Sequence, residues 1–208
     1  NEEIEKEKKE KLSNLFKEYD NKNFLYIRTD MDLKYQYELI NKILKDKDKE
    51  EKEKIKKIFI YFGNENFSCK KNKINSLPEQ ISNLKNLTNL SISKDCMDEI
   101  YSPNFIEVPN WISNLTNLET FILNGTGITT LPDSIGRLTK LEILDLSNNK
   151  IENLDGIGNL TKLKTLNLSN NKIENIPDWI GKFTELEILD LSKNNITTLP
   201  EEIVKNLK

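Results

Sequence analysis

The stretch LEILDLSNNKIENL at residues 141–154 decides the fold, because it recurs almost unchanged twice later in the chain. Residues 163–176 read LKTLNLSNNKIENI, and residues 186–199 read LEILDLSKNNITTL. In each copy alternating leucines, such as Leu144 and Leu146, indicate a short strand that buries one face. One such unit cannot enclose a core of its own, so consecutive units must stack on one another. The sequence therefore predicts a solenoid whose strands form a curved parallel sheet on its concave face.

The same spacing extends in both directions and defines six units of 23, 31, 23, 22, 23 and 24 residues. The units occupy residues 61–83, 84–114, 115–137, 138–159, 160–182 and 183–206. In five of them a proline introduces the second half, which predicts short helical or 3₁₀ turns on the convex side. The fourth unit has Asp155 and Gly156 there instead and should turn more tightly. We expect a repeat domain over residues 58–208.

The spacing Leu-x-x-Leu-x-Leu-x-x-Asn-x-Ile, repeated with this period, resembles the leucine-rich repeat family. The second half of each unit, LPDSIGRL at residues 131–138 for instance, resembles the Ras-suppressor-like and bacterial varieties of that family. The resemblance covers about residues 61–208. It implies an α/β fold, a right-handed solenoid with a parallel sheet inside and short turns outside, and a role in binding other proteins.

The N-terminal 57 residues have a different composition, with 16 Lys or Arg and 15 Asp or Glu. Apolar residues spaced three and four apart, at 12–19 and again at 33–44, predict two amphipathic helices. We interpret this region as an α-helical cap on the first repeat. An independent partner-binding or coiled-coil segment is the alternative. Residues 24–27 are a short apolar run that fits either a strand or a buried connector.

The composition argues against several classes of function. The 208 residues carry 31 Lys or Arg against 34 Asp or Glu, a net charge of −3, so there is no basic field to attract nucleic acid. The absence of histidine removes the usual general base and zinc ligand, and we expect no enzyme activity, metal or cofactor. No apolar run approaches the roughly 18 residues of a membrane span. The protein would be secreted or cell-surface if an export signal was removed, and cytoplasmic otherwise.

An asparagine column follows the predicted strands, at the point where the chain turns away from the sheet. A buried amide both donates and accepts, so it can satisfy the peptide groups that such a turn leaves unpaired. We expect a structural ladder formed by Asn72, Asn149, Asn171 and Asn194. Asp95 and Thr126 replace the asparagine in the second and third units.

The candidate binding residues are those that the repeat pattern leaves variable and that strand alternation points to solvent. One predicted row contains Ser68, Ser91, Ile122, Asp145, Asn167 and Asp190, and the next contains Asn66, Asn89, Thr120, Ile143, Thr165 and Ile188. From these rows we select as partner-binding residues Ile122, Ile143, Asp145, Thr165, Asn167, Ile188 and Asp190. The isoleucines would be exposed apolar residues on the concave face.

The second unit is 8 residues longer than the 23-residue period, and the extra residues lie in the segment 96–105. Insertions in such repeats form loops beside one face, often the binding face. Ile100, Tyr101 and Phe105 are therefore further candidates, although a tolerated excursion is the alternative. Cys69 and Cys96 are expected to be free thiols, because their positions are too far apart for a disulfide. Trp111 and Trp179 should pack on the convex side.

The sequence favours a non-catalytic module that binds a protein on its concave face and on the inserted loop. The alternatives are a scaffold or surface-display protein that associates through its helical N-terminus, and the recognition arm of a larger protein. Neither the partner nor the oligomeric state follows from the sequence.

Overall fold

The structure, a computed structural model, describes residues 23–29, 40–42, 44, 45, 47–62, 76–94, 107–201 and 203. Its described strands form one sheet in which sequence neighbours pair in parallel. The strands are β1 (Phe24–Thr29), β2 (Lys57–Phe62), β3 (Asn89–Lys94), β4 (Thr120–Asn124), β5 (Ile143–Asp145), β6 (Thr165–Asn167) and β7 (Ile188–Asp190). This sheet confirms the predicted solenoid.

The core lies on one side of the sheet and is built by the repeating leucines. Leu144 and Leu146 of the opening stretch are fully buried, and Phe121 takes the place of the first leucine in the preceding coil. Equivalent residues stack in register, as in the row Phe121, Leu144 and Leu166. Each coil therefore closes the core of its neighbour.

The convex side carries five 3₁₀ helices in the described coils: Glu79–Asn83, Asn110–Asn114, Asp133–Arg137, Ile157–Asn159 and Asp178–Lys182. Four of them follow a proline whose carbonyl oxygen accepts the first hydrogen bond, as Pro132 does from the Ile135 amide at 3.0 Å. The 3₁₀ turns confirm the predicted convex side.

The helix in the fourth unit spans only three residues and follows Gly156, whose φ is +88°. A Cβ there would lie 3.0 Å from the Cα of Asp133. Glycine is needed at this position, and the tighter turn agrees with the prediction.

The region before the repeats contributes a strand to the sheet. β1 pairs in parallel with β2, placing Leu25 beside Ile58, and both side chains are buried. The apolar run at residues 24–27 is therefore a strand rather than a connector. Helix α1 (Lys49–Lys54) begins at a capping box between Asp48 and Glu51 and buries none of its residues.

Residues 1–22 and 30–39, which hold most of the two predicted amphipathic helices, lie outside the described residues. The limits of the domains and repeats stay predictions, but the sheet begins on the N-terminal side of the first predicted repeat.

The sequence analysis placed Asn66 and Ser68 at the start of the two solvent-facing rows, and this prediction was wrong. Register pairs Lys57 with Asn89 and Phe59 with Ser91, so β2 occupies the place assigned to residues 66 and 68. The reason is that Ile55, Ile58 and Ile60 reproduce the leucine spacing with isoleucine, which fills the same buried positions. Residues 66 and 68 themselves lie outside the described residues.

Candidate interaction surface

The solvent side of the sheet, which we call the concave face, carries two rows of candidate residues. The first row aligns Thr120, Ile143, Thr165 and Ile188, and the second aligns Ile122, Asp145, Asn167 and Asp190. Ile143 is 38% exposed and Ile188 is 57% exposed. Ile122 is half-buried, so its predicted exposure was wrong.

The acidic row is held in place by the serines that follow the strands. The Oδ1 atom of Asp145 accepts hydrogen bonds from the Ser147 amide at 2.9 Å and from the Ser147 hydroxyl at 2.5 Å. Asn167 accepts the same pair from Ser169, at 3.0 and 2.7 Å. An aspartate and an asparagine thus occupy equivalent positions with the same local bonding, so the charge at this position can vary without changing the turn.

Asp190 occupies the fourth position of this row, on β7, the last strand of the described sheet. Its Oδ1 atom accepts a hydrogen bond from the Ser192 amide at 2.9 Å. The Ser192 hydroxyl and then this amide lower the pKa of Asp190, and the Ser169 hydroxyl adds to the effect. Asp190 is therefore an anion at neutral pH.

A third row borders the isoleucines on the side where each strand begins. Glu119, Glu142, Lys164 and Glu187 occupy it, and the backbone amide of each of the last three bonds to the carbonyl of the residue before it in the row. The Lys164 ammonium lies 2.9 Å from the carboxylate of Glu142. This hydrogen bond and the charge of Glu142 raise the pKa of Lys164. Ile143 and Ile188 thus lie between two rows that both contain carboxylates.

The asparagine column joins consecutive coils behind the concave face. The Asn171 amide nitrogen donates to the carbonyls of Leu146 and Leu168 at 2.9 and 3.0 Å, and its oxygen accepts from the Ile151 amide at 2.9 Å. Asn149 and Asn194 make the corresponding bonds in the flanking coils. Thr126 takes the ladder position of the third unit and donates to Asn149 at 3.2 Å. The ladder keeps the strands in register, and its amides bond to the protein rather than face a partner.

Two solvent-side residues of the early strands escaped the sequence reasoning. Tyr26 and Phe59 continue the second row through Ser91 to Ile122, and both aromatic side chains are half-buried. The signal that would have found Phe59 is the isoleucine spacing at residues 55–60. These two residues give the N-terminal end of the concave face an aromatic character.

Several predicted residues lie outside the described part of the chain: Ile100, Tyr101, Phe105, Asn72, Asp95, Cys69 and Cys96. Trp111 and Trp179 are in convex 3₁₀ helices and pack against the core. The described residues contain no group of three or more Cys, Asp or Glu that could hold a metal ion. None of the helices in the described part has the length and apolar character that a membrane crossing requires.

A protein-family model that describes two copies of a leucine-rich repeat matches the chain three times, over residues 116–159, 139–182 and 161–201. Residues 116–201 of this chain therefore contain leucine-rich repeats, as the sequence indicated. Domains with these repeats typically mediate protein–protein interaction and are generally non-catalytic. No curated protein sequence is similar enough to count as a match.

Two solved structures with TM-scores above 0.5 have a similar fold. The ectodomain of the receptor kinase GASSHO1/SCHENGEN3 from Arabidopsis thaliana, in complex with CASPARIAN STRIP INTEGRITY FACTOR 2, is 28% identical with a TM-score of 0.57, covering 74% of this chain and 18% of that one. A plant ice-binding protein is 26% identical with a TM-score of 0.52, covering 71% and 45%. The ectodomain of the Arabidopsis receptor kinase SOBIR1 is 29% identical with a TM-score of 0.49, covering 58% and 65%. The chain thus spans less than two thirds of each.

Proposed function

We propose that this protein is a non-catalytic interaction module that binds a partner protein on its concave face. The observation that carries the proposal is the exposure of Ile143 and Ile188 in one row of the sheet, 38% and 57% respectively. An exposed apolar residue can contribute strongly to the binding energy when it lies near the centre of an interface and the partner excludes water from it. Thr165 lies between the two isoleucines and adds a polar group that can fix the position of the partner.

The size of the face supports a protein as the ligand. Seven strands at a spacing of about 4.8 Å give a face about 29 Å across, which matches the width of an ordinary protein interface. The GASSHO1/SCHENGEN3 ectodomain, which has a similar fold, was solved in complex with CASPARIAN STRIP INTEGRITY FACTOR 2. The plant ice-binding protein has a similar fold and is named for a different ligand, so the fold alone does not decide what is bound.

The segment inserted in the second repeat is the second part of the proposed site. Val108 follows Ile92 by 16 positions, whereas Leu131 follows Leu123 by 8. The inserted segment follows the end of β3, where Ser93 pairs with Asn124, the last residue of β4. Ile100, Tyr101 and Phe105 would give it apolar and aromatic side chains suited to an interface.

The test is a quantitative pull-down with a double variant, Ile143→Glu with Ile188→Glu. Loss of the captured partner is expected, because the apolar group of the partner that covers these isoleucines would bury two carboxylates without hydrogen bonds. Leu199→Glu is the matched control: Leu199 is 50% exposed but lies outside the strand rows, so the same substitution there should leave binding intact. Retained binding in the double variant, with an unchanged melting curve, would contradict the proposal.

The inserted segment is tested separately. Deletion of eight residues from the segment 96–105 restores the length of a standard repeat. We expect the thermal melt to stay close to that of wild type and the binding to weaken. Unchanged binding would restrict the site to the sheet.

A further inference from the structure

We propose that the partner surface seated on strands β4–β7 is basic, with an apolar side chain placed between its lysines or arginines. The inference rests on the proposed function and adds the chemistry of the partner. In the three solvent-side rows of β4–β7, all within the described residues, five side chains are carboxylates and one is an ammonium group. They are Glu119, Glu142, Asp145, Glu187 and Asp190, with Lys164 as the single cation.

The carboxylates surround the exposed apolar residues. The row of Ile143 and Ile188 lies between the glutamate row, at the start of the strands, and the aspartate row, two residues further along each strand. The two isoleucines lie two strand spacings apart, with β6 between them, which corresponds to about 10 Å. A partner group that covers these isoleucines therefore meets negative charge on both sides. Lysine or arginine flanking the apolar group satisfies the carboxylates that become desolvated.

The carboxylates have acceptor capacity left for such a cation. Ser147 donates to the Oδ1 atom of Asp145, whereas the Oδ2 atom accepts only a long hydrogen bond, 3.4 Å, from the Asn167 side-chain amide. Glu119 and Glu187 are exposed. Of the three glutamates in the row, Glu142 makes the ion pair with Lys164. Among the described residues, the other four carboxylates thus form no salt bridge, although the charge of Glu187 acts on Lys164 and that of Lys193 acts on Asp190.

The charge changes sign along the face. Lys56 lies in the same row as Glu119, next to the earlier strands. The Thr88 amide donates to the Lys56 carbonyl, and the Glu119 amide donates to the Thr88 carbonyl. Lys57 lies in the row of Ile143. The acidic surface is therefore confined to the later strands, and a partner would orient with its basic part toward β4–β7.

The experiment selects ligands from random sequences, so it does not require the natural partner. A display library of random 12-residue peptides is selected on the immobilised full-length protein, and the affinity of a selected synthetic peptide is then measured on variants. Asp145→Asn with Asp190→Asn removes two charges but keeps the acceptor that the serines need, as Asn167 shows. Asn167→Asp adds one charge in the same row. Asp133→Asn with Glu174→Gln, two exposed carboxylates outside the three rows, removes the same two charges and is the control for total charge.

We expect the selected peptides to be enriched in lysine or arginine beside an apolar residue. The double neutralisation should weaken binding about 3- to 10-fold, and Asn167→Asp should strengthen it about 2-fold. The control variant should change the affinity less than 2-fold when both proteins are measured at the same salt concentration. The affinity of the wild type should fall as salt rises from about 50 to about 500 mM, because the Debye length, roughly 10 Å at 0.1 M, becomes shorter.

The outcomes separate this inference from the proposed function. Peptides without basic enrichment, no selected peptides, or no effect of the double neutralisation would overturn the inference. If peptides are selected without basic enrichment but bind the Ile143→Glu, Ile188→Glu variant more weakly than the wild type, the concave face remains the binding site. Binding that ignores both the isoleucine and the aspartate variants would overturn the inference and contradict the proposed function as well.

Discussion

The substitution Asn171→Ala tests what the asparagine ladder contributes to stability. Four hydrogen bonds disappear, but the groups left behind differ in their remaining partners. The Ser169 carbonyl, which loses a bond of 3.3 Å, still accepts from the Asn148 amide at 2.9 Å. The Leu146 carbonyl still accepts from Asn149 at 2.8 Å, and the Leu168 carbonyl still accepts from Asn194 at 2.9 Å. The Ile151 amide has only Asn171 as its acceptor among the described residues.

The cost therefore comes mainly from one buried amide that loses its partner. Such a group costs about 1–3 kcal/mol. Urea unfolding followed by the fluorescence of Trp111 and Trp179 measures this change, and the midpoint should fall by about 1 M for a loss of about 2 kcal/mol. Asn195→Ala is the control, because Asn195 is an exposed asparagine in the following coil. Its midpoint should stay within about 0.25 M of wild type.

The shared carbonyl of Leu146 makes a sharper test. Asn149 and Asn171 both donate to it, so each single variant leaves it one donor and the double variant leaves it none. The loss for Asn149→Ala with Asn171→Ala should exceed the sum of the single losses by about 1 kcal/mol. An additive double variant, or a midpoint unchanged in Asn171→Ala, would refute the reasoning.

Three further predictions concern single residues. Lys193 has φ +54°, where asparagine is tolerated better, so Lys193→Asn should raise the free energy of unfolding by about 0.5–1 kcal/mol in urea titrations; no rise would argue against strain. A Cβ on Gly158 would lie 2.9 Å from Trp179, so Gly158→Ala should cost about 1–3 kcal/mol and shift the tryptophan emission; an unshifted spectrum would contradict this. Ser192→Ala should raise the pKa of Asp190 toward its ordinary 3.8 in an NMR titration. Because the pKa of Asp190 is lower in the folded state, its ionisation stabilises the fold above the unfolded pKa, and this stabilisation is lost as the pH falls through the folded pKa. The free energy of unfolding of Ser192→Ala should therefore fall less on acidification than that of the wild type. An equal fall in both proteins would contradict the role of Ser192.

The regular coils follow from the sequence because their spacing is determined by local chemistry. Leu144 and Leu146 alternate as a half-buried strand requires, and Asn171 follows the next strand at the position where the turn leaves amides unpaired. The exposure of Ile143 follows from the same alternation. The prediction failed for β2, because isoleucines replace leucines at residues 55–60 and so hide the repeat spacing there.

The sequence by itself determined the repeating unit, the side of each strand that is buried, and the role of the asparagines, because these depend on neighbours within one coil and its copies. The tertiary structure decided which coils lie side by side. Only the register shows that β1 and β2 extend the sheet, that Ile122 is half-buried, and that the carboxylates of separate coils surround Ile143 and Ile188. The physical reason is that the charge of a surface is a sum over residues about 23 positions apart, and only packing brings those residues within a few ångströms of one another.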